Sequence, residues 1–369
     1  MKKNIYSTLF CIIYISVIIT SFFSCTKKED KYVERTNIKE FTDFKTQYTL
    51  EGKELSSGEI KFLPQSIGLI DDKVFFCDSE SDTHFYVFKI PEFEFVGKFG
   101  NRGRGPLDMQ APTFWGQVKG KEIGIYQANL MKYGFYNIEE YLNGTIKDEN
   151  IITTYMPPEI NDAVNIISLN KNKYIGASST PNGELFVYNA LKKELKWKPF
   201  VKDVSNTFME DLLKYDILSD FKRGIIKVNP KNTLVVKTNI FMPYIDIYDP
   251  KGNLLFSIGP KKYENPILSN KTKMIDFSSN VYYTNSFLTN NFIYALYRNC
   301  TVNEFSNGDC ENVEIHVFDW EGNAVKKYIL NEGIGPLSPF AVDETNHKIY
   351  SVNPKDLDSY FMSFDIKKR

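Results

Sequence analysis

The sequence predicts an all-β fold: a six-bladed β-propeller over residues 44–369, its ring closed by an N-terminal strand, with one short helical insertion. Three observations predict it. A strand ending of aromatic, polar and apolar residue occurs six times, as Phe88-Lys89-Ile90, Tyr136-Asn137-Ile138, Tyr188-Asn189-Ala190, Tyr248-Asp249-Pro250, Phe318-Asp319-Trp320 and Phe364-Asp365-Ile366. Successive copies stand about 48, 52, 60, 70 and 46 residues apart, near the roughly 40 to 50 residues of one propeller blade. Polar turns recur between first and second strands, at Asp71-Asp72, Asn170-Lys171-Asn172, Asn229 to Asn232, Asn290-Asn291 and Asp343 to Asn346. Finally, the sixth copy ends after three strands, so a fourth must come from elsewhere.

Blade one takes Ile67 to Ile70, Lys73 to Asp78, Phe85 to Ile90 and Glu94 to Gly100, the last two alternating around a short break at Pro91 as a hairpin does. Blade two takes Trp115 to Val118, Ile123 to Tyr126 and Tyr133 to Ile138; blade three takes Ile166 to Leu169, Tyr174 to Ala177, Leu185 to Ala190 and Glu194 to Trp197. Between Val204 and Lys222 the strand pattern breaks, and Phe208, Leu212 and Tyr215 fall at helical spacing among acids, which predicts the helical insertion. Blade four runs from Ile225 to Ile258, blade five from Ser286 to Leu330 and blade six from Pro339 to Ile366. In blade five, Val313, Ile315 and Val317 point one way and Glu314, His316 and Phe318 the other, a pattern suited to sheets packed on both faces. Thr46 to Leu50 is expected to pair outside Tyr360 to Ile366 and close the ring, because an open ring would leave an unpaired edge.

Lys2 and Lys3 precede an apolar run from about Leu9 to Phe23 that ends at Ser24-Cys25. That layout reads as a secretory signal over residues 1–24 and not as a membrane span. A cysteine after a small residue at this point resembles the lipobox of bacterial lipoproteins, with Phe22 where leucine is usual. The resemblance implies cleavage before Cys25 and a lipid on its thiol. Residues 25–43 are then a charged tether, and Lys28-Glu29-Asp30 resembles a tag for the cell surface. The localisation implied is that of an outer-membrane lipoprotein.

The chain holds 45 basic and 46 acidic side chains, and removing residues 1–24 takes only Lys2 and Lys3, so no basic excess exists to hold nucleic acid. Cys300 and Cys310 flank Asn307-Gly308, a hairpin-turn dipeptide, at the ends of two strands, and are expected to form a disulfide. Cys77 reads as a buried strand residue.

The six-bladed layout, the lipobox and the run Gly97-Lys98-Phe99-Gly100-Asn101-Arg102-Gly103-Arg104-Gly105-Pro106 together resemble the TolB-like six-bladed propeller lipoproteins of Gram-negative bacteria. Leu107-Asp108-Met109 departs from that family's Gly-Glu-Phe ending. The family is defined by fold, so the resemblance implies no catalytic residue and no cofactor.

The Gly-rich run is not a phosphate loop, since Pro106 and a further strand follow where a helix would be needed. Arg102 and Arg104 could hold a carboxylate, sulfate or anionic sugar. The chain has three histidines, His84, His316 and His347, in different blades, and neither a serine elbow nor an HExxH motif. The candidate surface comprises the loops joining second to third strands, at 78–84, 127–132, 178–184, 238–243, 299–312 and 353–359, with the Gly-rich loop. Trp115, Tyr126, Phe241 and Met242 are the expected apolar contacts there, against the alternative that Trp115 and Tyr126 are core. The function expected is a lipid-anchored binding or scaffolding module of the envelope, its partners the membrane through the anchor and an envelope protein or glycan. The alternative is a calcium-dependent propeller hydrolase, lactonase or glycan-active enzyme, which needs Asp, Asn and Glu oxygens converging on the axis.

Overall fold

Alternating apolar strands joined by tight polar turns form antiparallel meanders, and the computed structural model holds six of them. It describes residues 32–366 apart from 59, 61, 179, 181, 203–205, 215–216, 311–312, 332–338 and 353–360. The predicted signal, Cys25, Tyr215 and the 353–359 loop lie outside the described residues. Blade one is Ser66–Ile70, Lys73–Cys77, Thr83–Lys89 and Glu94–Asn101. Blade two is Pro112–Lys119, Glu122–Gln127, Lys132–Asn137 and Ile152–Tyr155, and blade three is Ala163–Asn170, Lys173–Ser178, Leu185–Asn189 and Glu194–Lys198. Blade four is Gly224–Val228, Val235–Asn239, Ile245–Tyr248 and Leu254–Pro260. Blade five is Asn280–Leu288, Phe292–Thr301, Val313–Asp319 and Ala324–Leu330. Blade six supplies three strands of its own, Phe340–Asp343, Lys348–Val352 and Phe361–Asp365.

The fourth strand of blade six is N-terminal, as expected, but it is not Thr46–Leu50. Four short strands lie along the rim: β1 (Tyr32–Glu34), β2 (Ile38–Phe41), β3 (Thr46–Leu50) and β4 (Gly52–Leu55). β4 pairs antiparallel with Phe361–Asp365 and closes the ring. β3 instead pairs in parallel with the outer strand of blade five, Tyr48 opposite Tyr328. β2 adds to blade four in the same sense, and β1 pairs with Phe200–Lys202 beside blade three. Residues 32–41 are therefore rim strands and not tether. The period-two signal of β1 and β2 is short and mostly exposed, so composition alone reads it as a solvated stretch.

Among the described residues the core divides into six clusters between neighbouring blades and a seventh under the insertion. Each aromatic of the repeated ending fills a different interface: Phe88, Tyr136, Tyr188, Tyr248, Phe318 and Phe364. Burying each such ring contributes about 2 kcal/mol, so the recurrence marks the wedges that hold the blades together. Val313, Ile315 and Val317 do face blade six while Phe318 faces blade four. The insertion forms two helices, Asn206–Lys214 and Leu218–Phe221, whose Leu212 and Phe221 pack on Met242 and Tyr244 of blade four. Among the described residues two further α-helices occur, Ile138–Leu142 within blade two and Val302–Asn307 within blade five.

Candidate functional site

The first strand of every blade lines the propeller axis, and all six run in the same sense. Their starts therefore converge on one face with the loops that join second to third strands. Between them lies a cavity of about 730 Å³, walled by one residue or more from each blade: Ile67, Phe114, Asn165, Ile225, Thr284 and Phe340. A smaller cavity of about 210 Å³ opens toward the turns of the other face, lined in part by Gly68, Gln117, Asn229 and Phe287. Gly116 and Lys227 line both, and so form the waist of the channel.

The polar groups on this wall are amides, hydroxyls, the Trp115 indole and two cations. Asn165 donates to the Ile226 carbonyl at 3.0 Å, tying blade three to blade four. Gln117 bridges to blade three through the Ser168 backbone, whose N–H it accepts at 2.9 Å. Lys227 donates to the Ser286 carbonyl of blade five; burial pushes its ammonium down to about 8, since water that would solvate the charge is excluded. Arg223 stands at the mouth. No Asp or Glu lines either cavity among the described residues. On the rim, Phe305 and Ser306 reach the cavity from the Val302–Asn307 helix. That helix starts with a capping box, Thr301 accepting from the Glu304 N–H and Glu304 from the Thr301 N–H at 2.7 Å. The Cys300–Cys310 disulfide, with Cα atoms 5.6 Å apart, clips its two ends together.

A family model described as TolB-like 6-blade propeller-like matches residues 40–345. The chain belongs to this TolB-like six-bladed propeller family. Among solved structures, an exported protein of Bacteroides fragilis superposes with a TM-score of 0.52 at 13% identity, covering 91% of this chain and 100% of that one. A duf4221 family member from Bacteroides vulgatus gives 0.53 at 12% identity over 87% of this chain and 96% of that one. These likenesses show the shared fold. No curated protein matches the sequence. Among the described residues no helix is long and apolar enough to cross a membrane.

Of the side chains and loops singled out by sequence, this TolB-like propeller brings Trp115, whose indole also packs between blades three and four, and the 238–243 and 299–312 loops, through Ile240, Phe305 and Ser306, to the channel. Tyr126 is 3% exposed in the interface of blades two and three, which is the core alternative. Phe241 stacks beside Phe221 of the insertion with ring centroids 6.5 Å apart, and Met242 is buried beneath it. Arg102 donates to the carbonyls of Ser79, at 3.2 Å, and Glu80, so it staples the Gly-rich turn to the 78–84 loop. Arg104 is exposed on the same turn. The turn holds its own anion: Asp108 Oδ2 accepts the Gly105 N–H at 2.8 Å, and a Cβ at Gly103 would collide with the same carboxylate. An external phosphate would have to displace it. The predicted Asn307-Gly308 hairpin is instead a helix end, with Gly308 in the left-handed region at φ 76°. Cys77 is buried, as expected, and burial pushes its thiol up to about 12.

Sequence reasoning missed Lys227, Asn165 and Thr284. Lys227 sits in Gly224-Ile225-Ile226-Lys227-Val228, a run that reads as ordinary strand. The available signal was its place in a first strand, since every second residue there faces the axis.

Proposed function

We propose that this protein is a lipid-anchored, extracytoplasmic binding or scaffolding module of the cell envelope, which receives its ligand, or the projecting group of an envelope protein or glycan, in the wider axial cavity. The observation that carries this reading is the 730 Å³ cavity itself, apolar on most of its wall and punctuated by a few amides and cations, within the roughly 300 to 1,000 Å³ of small-molecule sites. The donor set matters as well. Lys227 and Arg223 suit an anion, whereas a bound calcium ion needs convergent oxygen ligands and carboxylate charge. The anchor reading is supported by Lys2, Lys3, the apolar run and Ser24-Cys25. The Cys300–Cys310 disulfide fits an oxidising compartment. One of the similar solved structures is described as exported.

Two linked experiments test it. Metabolic labelling with palmitate should mark the wild-type protein and not Cys25→Ala, with the variant leaving the membrane fraction. The tagged wild-type protein, purified from detergent-solubilised envelopes, should carry a stoichiometric companion that Ile240→Asp at the cavity mouth no longer retains. An unlabelled wild type, or a bait equally clean or equally loaded in both forms, contradicts the reading.

A further inference from the structure

We infer that the axial cavity is a site for an organic carboxylate with an apolar body, its carboxylate seated on the ammonium group of Lys227 at the channel waist and its body among Phe114, Trp115, Ile225 and Phe340. This deepens the binding reading above and rests on it.

Lys227 reaches across three blades. From the first strand of blade four its stem crosses toward blade two, where a Cβ added at Gly116 would stand 3.4 Å from Nζ and 3.5 Å from Cδ and Cε. Gly116 has φ 89°, so the backbone there is one that glycine adopts and side chains rarely do. The lysine stem thus runs in van der Waals contact past position 116. Its tip reaches blade five and donates to the Ser286 carbonyl. An ammonium has three N–H donors, and a main-chain carbonyl uses one and brings no countercharge. Two other buried cations meet carboxylates, Lys237 with Glu184 and Arg35 with Asp246, whereas buried Lys222 donates, like Lys227, to a main-chain carbonyl, that of Val201. Among the described residues no acid lines the cavities beside Lys227. It contacts Gly116 of blade two and Ser286 of blade five and shares its cavity walls with Gln117, Asn165, Thr284 and Asn285, none of which titrates. Arg223 is the only other charged residue on either cavity wall among the described residues.

A partly buried charge with no carboxylate beside it among the described residues is costly to keep, and an arriving anion reduces that cost while completing the ammonium's hydrogen bonds. Trp115 Nε1 and the Thr284 hydroxyl are buried donors on the same wall with no hydrogen-bond partner among the described residues. The remaining wall is apolar, which excludes a bare inorganic ion as the fitted occupant and favours a carboxylate attached to an aliphatic or aromatic body. Burial already lowers the ammonium to about 8, so the site is charged at neutral pH and discharges just above it. Carboxylate affinity should therefore hold below about pH 8 and fall as Lys227 loses its proton. An anion in place shifts that loss to higher pH.

The test uses the mature protein in detergent and compares matched probes by thermal shift and tryptophan fluorescence: octanoate and octanamide, phenylpropanoate and phenylpropanamide. The expected result is that the acids raise the melting temperature and change the fluorescence while the amides do not, with the better of the two acids telling an aliphatic from an aromatic body. Acid affinity should fall at least tenfold between pH 7 and pH 9.5, and Lys227→Met should lose at least tenfold in acid affinity at pH 7. The acid-to-amide comparison and the pH series need no variant, so the test stands even if Lys227→Met misfolds. Amides that bind as tightly as acids, or a pH-independent acid affinity, would overturn the role of Lys227 and leave the cavity a binding site. Failure of all four probes to bind would overturn the carboxylate site, and the envelope purification with Ile240→Asp then decides the broader reading separately.

Discussion

Arg35, between β1 and β2, reaches into blade four and meets Asp246, which is fully buried. The guanidinium also lies 4.2 Å over the Tyr244 ring. Asp246 accepts from Ser257 at 2.6 Å and Asn239 at 2.8 Å, and Asn239 in turn accepts from Lys237, which pairs with Glu184 of blade three. A single polar network therefore ties the rim strands to blades three and four. Removing one partner of a buried pair strands the other charge, so Arg35→Met should cost about 3 to 5 kcal/mol in urea unfolding. Arg35→Met with Asp246→Leu should recover most of it. Burial opposes the ionisation of Asp246, but Arg35, Lys237 and the Ser257 hydroxyl outweigh it and hold the carboxyl below its ordinary value. A carboxyl lowered in the folded state stabilises fully above its unfolded value of about 4 and loses that contribution as pH falls through the folded value. The urea midpoint of the wild type should therefore fall on acidification below about pH 4, and the double variant should fall less steeply. Neither the network nor Lys227 was legible in the sequence. A buried charge looks like any other charge until the fold shows what faces it, and Arg35 stands in a stretch whose composition reads as tether.

Within the elements, the polar member of the repeated ending explains itself. Asp249 Oδ1 accepts from the Lys251 and Asn253 N–H groups at 2.8 and 2.9 Å, with Gly252 at φ 77°. Asp319 does the same for Glu321 and Asn323 at 3.1 and 2.8 Å, with Gly322 at φ 88°. The aromatic wedges an interface and the next residue closes the turn, which is why this repeat was readable. In blade two the same position, Asn137, caps the Ile138–Leu142 helix instead. One sequence signal thus opens two local structures, and the helix before the fourth strand hid that strand. The disulfide was legible from spacing, whereas the helix between its cysteines was not, because Asn307-Gly308 serves a hairpin and a helix end equally well. Cys300→Ser with Cys310→Ser should lower stability by up to about 3 kcal/mol in the chain-entropy account. Hydrogen exchange in 299–310 should rise in that variant while the first strands of the blades keep their protection.

Across the whole molecule, the rim strands convert an open row of blades into a ring. Sequence pointed to a closing strand because blade six was one short, and the register slipped by one strand because β3 and β4 are adjacent and both fit an edge. A chain beginning at Phe44 keeps β3 and β4 and should stay monomeric by light scattering, though less stable without Arg35. A chain beginning at Ser57 loses β4, exposes the edge of Phe361–Asp365 and should aggregate. A monomeric product from the shorter chain would count against closure by β4. The central claim, that the ring binds at the wider end of its channel, is tested most directly by hydrogen exchange of the mature protein with and without solubilised envelope extract. Protection gained at the starts of the first strands and in the 238–243 and 299–310 loops is the result predicted. Protection confined to the opposite turns at Asp71-Asp72, Lys171-Asn172 and Asn229 to Asn232, or no change anywhere, would contradict it.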